Sequence, residues 1–410
     1  MHQHELAPPV PREGLPRIEV ADIFRAQGEV YRQTHALRPE ERAAMNAIEV
    51  CRTAILGGHV DVCDSCHFSR PAYNSCRNRH CPKCQALTQA AWVDKRMERV
   101  LPTHYFHVVF TLPHELGPLA LRNRKVIFDM LFSAAARTLL ELGMDEQRLG
   151  AQLGVTAVLH TWSRDLRFHP HVHCIVTGGG LAPTGDRWIS TPQKYLFPVR
   201  VLSALFRGKF LDALTHAYER GELDLGGACA VLANGAQFDR LKDVLYRKDW
   251  VVYAKRPFAG PEQVFKYLGQ YTHRVGISNH RIVSFDARGV CFRTKDGKQV
   301  TVPAEEFIRR FLLHVLPDGF VKIRHYGILA SGNVRTKLAD ARRHLKDTVE
   351  PDDPRTPEQT WKERLLALTG IDLALCPRCG GAMVRRPLEP DPLQVSPAAS
   401  SPPPAFADTS

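Results

Sequence analysis

A chain of 410 residues, 44% hydrophobic and 24% charged, has room for two or three domains and the composition of a globular protein. This excludes disorder throughout and a mini-protein held only by metals or disulfides. Lys and Arg number 55 against 43 Asp and Glu, a net charge of +12 with a pI of about 9.3, so the expected partner is a polyanion, nucleic acid first. There is no run of about 18 apolar residues and no apolar signal core in Met1 to Arg17. No membrane contact and no secretion are expected, and the expected location is the cytoplasm.

In chain order, residues 1–19 read as a loose N-terminus. Val20 to Ala54 carries apolar residues at helical spacing, broken at Arg38-Pro39 into two helices. A cysteine-rich segment, Gly57 to Gln85, follows, and Ala86 to Leu101 reads as a helix closed by Pro102. Three strand-like runs come next: His104 to Leu112, Val155 to Trp162 and His171 to Thr177. Between the first two, Leu119 to Leu142 forms a long helical pattern stopped at Gly143. Helical Val199 to Arg220, a shorter Asp239 to Lys248 segment, strand-like Trp250 to Tyr253 and helical Pro261 to Arg274 complete a core expected over 102–280. Arg281 to Val302 is β-rich, Phe307 to Lys346 is basic, and the two make a segment 281–346. The rest, 347–410, holds a CxxC pair, and from Pro387 onward it has seven prolines and no Lys or Arg; this tail is expected to be largely disordered. The fold class expected is α+β, a central antiparallel sheet with flanking helices behind a small metal-binding domain at 20–101.

Five of the 11 cysteines fall between Cys63 and Cys84. Cys63-x2-Cys66 and Cys81-x2-Cys84, 14 residues apart, each present two thiolates on one tight turn, and together they fit a tetrahedral structural zinc site. Cys76, His80, His59 and His67 lie in the same segment and could replace a thiolate or serve a second ion; spacing does not choose between these. Arg77 and Arg79, in the insert between the pairs, are suited to phosphate or guanine edges. Cys376-x2-Cys379 is half a zinc site without a second pair downstream, so it is either a remnant or pairs in trans. An odd cysteine count arranged as CxxC pairs reads as thiolate chemistry in a reducing compartment.

His171-Val172-His173 lies in a strand-like run, so both imidazoles project from one face as a ready pair of ligands for a divalent ion. Gly178 to Gly180, just after, would let the backbone approach a bulky ligand. Tyr267 and Tyr271 stand four residues apart on one face of an expected helix, with Gln263 and Gln270 beside them and Lys255, Arg256, Lys266 and Arg274 nearby. A tyrosine can attack a phosphodiester to give a phosphotyrosyl link, with a histidine-held ion polarising the phosphoryl oxygen.

Five runs together resemble the transposases of insertion sequence 91: Asn74 to Cys84, Val108 to Leu116, His169-Pro-His-Val-His173, Tyr267-Leu-Gly-Gln-Tyr271 and Ile323-Arg-His-Tyr-Gly327. The likeness extends over about Ile48 to Leu338. It implies membership of the two-tyrosine branch of the His-hydrophobic-His endonucleases, with rolling-circle transposition on single-stranded DNA at element ends and target, and a zinc-binding N-terminal domain. It also implies a central antiparallel sheet bearing the histidines opposite a tyrosine helix. By this resemblance Tyr267 and Tyr271 are the nucleophiles and His171 and His173 hold Mg²⁺ or Mn²⁺. Gln270, or Gln263, is the expected third ligand from its place on the helical wheel. Arg77, Arg79, Lys266 and Arg274 are the expected DNA contacts, and host replication proteins are further expected partners. The competing readings are a non-catalytic zinc-ribbon DNA-binding regulator and a metal-dependent nuclease that activates water. Neither needs the tyrosine pair.

Overall fold

The computed structural model describes residues 18–84, 99–255, 276–345 and 370–388, together with 360, 363 and 366. Its centre is an antiparallel sheet built from β3 (Tyr105–Thr111), β4 (Gln152–Trp162), β5 (Phe168–Leu181), β7 (Val252–Lys255) and β11 (Ile323–Gly327), in the order β11-β4-β5-β3-β7, with the short β6 (Trp188–Ser190) paired to the end of β5. The period-2 alternation of the strands decides their orientation. Phe106, Val108 and Phe110 of β3, Val155, Ala157 and Leu159 of β4 and Val172, Cys174 and Val176 of β5 all enter one core. Against that face pack α4 (Arg124–Met144), α5 (Val199–Glu219) and α6 (Gly235–Arg247). The alternate residues, histidines among them, stand on the opposite face.

The helix expected over Leu119 to Leu142 is divided in two, α3 (Gly117–Arg122) and α4. Asn123 makes the break: its side-chain amide donates to the Leu119 and Asp224 carbonyls at 3.2 and 3.0 Å and its Oδ1 accepts the Asp224 N–H at 2.7 Å. The short expected helix after residue 239 begins earlier, at Gly235, because Asn234 caps it by accepting the N–H groups of Ala236 and Gln237.

A second core joins the N-terminal helices to residues between Ile277 and Val315. Helices α1 (Val20–Thr34) and α2 (Pro39–Val50) pack on α7 (Ala304–Leu312) and on the small sheet β10-β9-β8, formed by Gln299–Val302, Gly289–Arg293 and Ile282–Asp286. In α7, Phe307, Ile308, Phe311 and Leu312 form the buried stripe, with Glu305 and Glu306 in its first turn and Arg309 and Arg310 in its last, the charge order that the helix dipole favours. A third sheet, in the order β12-β1-β2, pairs β1 (Gly58–Cys63) with β2 (Ser69–Tyr73) and with β12 (Met383–Leu388). These placements cross the boundaries expected from the sequence. Segment 281–346 supplies β11 to the central sheet and α7 to the second core, and the expected tail supplies β12. The last helix, α8 (Lys337–His344), lays Leu338 and Ala341 on Ile328 and Leu329.

Candidate metal centres

On the face of the central sheet away from the helices, His160, His171 and His173 bring one ring nitrogen each within 4.8 Å of one another. The hairpin register does this: His160 of β4 lies directly opposite His171 of β5, and His173 is one repeat further along. Ring centroids are 4.2 Å apart for His160 and His173 and 4.9 Å for His171 and His173. Two further bonds aim the rings. His171 donates from Nδ1 to the His169 carbonyl at 2.7 Å, which leaves its Nε2 lone pair for a ligand. His173 Nδ1 bonds Nε2 of His107, on β3, at 2.7 Å, so its own Nε2 faces the cluster. Desolvation lowers His171 to about 3 and, with the neighbouring His173, holds His160 well below the usual imidazole range. Neutral imidazoles at fixed orientation are what a divalent cation needs from histidine. The donor set therefore fits an ion that takes nitrogen ligands and completes its shell with water or phosphate oxygen.

The cysteines gather in two groups of four rather than the expected one. Cys51, Cys76, Cys81 and Cys84 form the first; Cys63, Cys66, Cys376 and Cys379 form the second. Hence the two CxxC pairs expected to share an ion go to different clusters, and Cys376 and Cys379 have partners within the chain. The cause is topological: β1 ends at Cys63 and pairs with β12, whereas Cys81 is buried in the core that holds α2 and Cys51. Sulfur separations of 3.4 Å for Cys51 and Cys84, 3.6 Å for Cys76 and Cys84, 3.5 Å for Cys63 and Cys379 and 3.6 Å for Cys66 and Cys376 approach the edge of about 3.8 Å of a tetrahedron with Zn–S arms of about 2.3 Å. His80 stays outside: its Nε2 accepts the Leu316 N–H at 3.1 Å, and burial lowers it to about 3. His59 is beside Asp61 at 3.8 Å, also outside both groups.

Residues 154–337 match a family model described as "Putative transposase", and residues 23–112 match one described as "Transposase zinc-binding domain", of the IS91 type. The chain is 48% identical over 369 residues to the "Putative transposase y4qJ" of Sinorhizobium fredii (strain NBRC 101917 / NGR234), covering 88% of this chain and 92% of that one. The chain belongs to the insertion sequence 91 family of transposases. The transposase is also 27% identical over 371 residues to the transposase for insertion sequence element IS801 of Pseudomonas savastanoi pv. phaseolicola, with 85% and 84% coverage. No solved structure matches it. Its first cysteine cluster falls wholly inside the matched zinc-binding domain. Among the described residues, no helix of the transposase is long and apolar enough to cross a membrane.

Of the other expected site residues, Tyr267, Tyr271, Gln270, Gln263, Lys266 and Arg274 lie outside the described residues. Arg77 is exposed, at φ 53°. Arg79 instead donates from Nη1 to the Phe320 carbonyl at 2.8 Å, which ties the cysteine loop to the approach to β11. The glycine run Gly178 to Gly180 sits inside β5, and protein rather than ligand fills the space beside it: a Cβ on Gly178 would lie 2.5 Å from the His104 ring and one on Gly180 2.6 Å from the Gln152 carbonyl oxygen. His160 and His107 were not among the expected site residues. The sequence signal for His160 was its strand position, alternating with Leu159 and mirrored by His171 across the short turn at 163–167.

Proposed function

We propose that this transposase nicks and joins single-stranded DNA at element ends through a 5′-phosphotyrosine intermediate, as in rolling-circle transposition. The observation that carries the reading is the triad His160, His171 and His173 on the sheet face away from the helices. Support also comes from the attachment of the tyrosine-bearing segment. It leaves the sheet at β7, which pairs with β3, and rejoins the described chain at Gly276, beside Leu166 in the β4–β5 turn and His314.

A Mg²⁺ or Mn²⁺ held by the three imidazoles would polarise a phosphoryl oxygen and neutralise charge as it develops there. The chain's own chemistry is a transesterification. The phenolate of Tyr267 or Tyr271 attacks the scissile phosphorus, the tyrosyl O–P bond forms as the P–O3′ bond breaks, and the leaving 3′-oxygen takes a proton to become a free hydroxyl. The phosphoester count is unchanged, so no nucleotide cofactor is consumed. The second tyrosine can accept the next strand, and a 3′-hydroxyl attacking the phosphotyrosine rejoins DNA and frees the phenol. The bond to His107 orients the His173 ring, and the His169 carbonyl, which can only accept, holds the proton of His171 on Nδ1. Zinc-loop Arg77, with Lys266 and Arg274, supplies phosphate contacts in this reading, and single-stranded DNA at element ends and target is the substrate.

The test is incubation with labelled single-stranded element ends and Mg²⁺ or Mn²⁺, resolved under denaturing conditions. Wild-type protein should shift the label into a protein-linked band, whereas Tyr267→Phe/Tyr271→Phe, a change of one oxygen per ring, should fold and bind DNA without forming the band. Cleavage that leaves only free 5′-phosphate ends would refute the proposal.

A further inference from the structure

We infer that Cys63, Cys66, Cys376 and Cys379 form a second zinc site, assembled from the two ends of the chain, that fastens segment 370–388 onto the zinc-binding domain. The matched domain ends at residue 112 and so contains only half of this ligand set. The inference rests on that domain's being zinc-loaded at Cys51, Cys76, Cys81 and Cys84, and extends it to a site the domain cannot complete alone.

The two half-sites are built alike. Cys63 N–H donates to the Phe68 carbonyl at 2.9 Å and His67 N–H returns to the Cys63 carbonyl at 3.1 Å; Cys376 N–H donates to the Gly381 carbonyl at 2.8 Å and Gly380 N–H returns to the Cys376 carbonyl at 2.9 Å. The fourth residue after the first cysteine has positive φ in both turns, 56° at His67 and 73° at Gly380. Each turn thus projects its two sulfurs to the same side, and the turns face each other with cross-pair sulfur distances of 3.5 and 3.6 Å. In the second turn the Arg378 N–H points at Cys376 Sγ at 3.4 Å, a donor suited to a thiolate.

The backbone brings the turns together independently of the sulfurs. β12 runs antiparallel to β1 over six residue pairs, from Gly58 opposite Leu388 to Cys63 opposite Met383. Midway, the buried Asp61 carboxylate accepts from Arg385 Nε and Nη2 at 2.8 and 3.3 Å and from Arg70 Nη2 at 3.4 Å. Yet none of the residues of β1, β2 or β12 belongs to any of the three hydrophobic clusters. A three-stranded ribbon without an apolar core of its own is the kind of element that structural zinc stabilises, because metal binding free energy becomes folding free energy. Four thiols around one point, on a ribbon lacking a core, account for why Cys376 and Cys379 sit more than 300 residues from their mates.

The experiment uses full-length protein, reduced and desalted. Metal analysis should give two zinc ions per wild-type chain and one for Cys376→Ser/Cys379→Ser. Native alkylation with mass mapping should show Cys63 and Cys66 newly modified in that variant while Cys51, Cys76, Cys81 and Cys84 stay protected; that protection also keeps the zinc-domain reading standing by itself. Equal zinc in both proteins, or continued protection of Cys63 and Cys66 in the variant, overturns the inference. If the variant is insoluble, stepwise chelation of wild type decides: Cys63, Cys66, Cys376 and Cys379 should become reactive together as one zinc leaves. Reactivity of Cys376 and Cys379 before any zinc is lost overturns it.

Discussion

Replacing His160 with Gln should weaken the divalent-ion site while leaving the fold in place. His160 is 3% exposed, stacks on Trp162 at 4.7 Å between ring centroids, and lies with its ring centroid 4.2 Å from that of His173. Glutamine keeps a similar length and polarity but lacks the imidazole nitrogen, so the change removes one donor of three. Loss of groups that merely orient metal ligands costs 10- to 100-fold in affinity, and loss of a ligand should cost at least as much, about 1.4–2.7 kcal/mol. Mn²⁺ titration followed by electron paramagnetic resonance on zinc-replete protein reads that shift directly, and cleavage should then need correspondingly more Mn²⁺. Gln270→Ala is the control, because glutamine at 270 is the competing third ligand. If His160→Gln binds Mn²⁺ like wild type while Gln270→Ala does not, the triad is wrong and His160 only packs against Trp162.

Two further predictions concern the scaffold that positions the site. Gly327 closes β11 at φ 63°, and a Cβ there would lie 1.8 Å from the Leu153 carbonyl oxygen; Gly327→Ala should therefore cost on the order of 3 kcal/mol or more, seen as a drop in urea midpoint, and an unchanged midpoint would refute the packing. His314 is buried between Thr161 Oγ1 at 3.2 Å and the Leu166 carbonyl at 3.1 Å, and burial lowers its pKa to about 3. Because the folded value lies below the unfolded one, the unfolded chain takes the extra proton, and stability is lost as pH falls from about 6.5 toward 3, by up to about 1.4 kcal/mol per pH unit. His314→Asn should show a shallower loss of stability between pH 7 and 5 than wild type, and identical slopes would contradict the assignment.

How much of this was legible in the sequence depended on how local the cause was. The His171 and His173 pairing follows from strand periodicity within three residues, and the helices at the N-terminus follow from apolar spacing and Pro39. His160 needed the hairpin register, which the turn at 163–167 makes derivable but which a bulge between His160 and Trp162 disturbs. The cysteine grouping was not derivable from spacing: four CxxC sulfurs 14 residues apart satisfy the same local rule whether they share an ion or not. What separates them is β1 pairing with β12 and Cys81 sinking beside Cys51, both long-range packing events. Likewise the run Ile323 to Gly327, one of those carrying the resemblance, lies within the basic stretch Phe307 to Lys346 and shows no strand of its own there; its register against Val155 and Val158 puts it at the edge of the central sheet as β11.

The most direct measurement is to digest the protein–DNA product formed on single-stranded element ends and identify the linked amino acid by mass spectrometry. The expected product is a nucleotide joined through its 5′-phosphate to Tyr267 or Tyr271, formed only with Mg²⁺ or Mn²⁺ and absent from His171→Ala/His173→Ala protein that still carries its zinc. Cleaved DNA with no adduct, or an adduct on another residue, would contradict it.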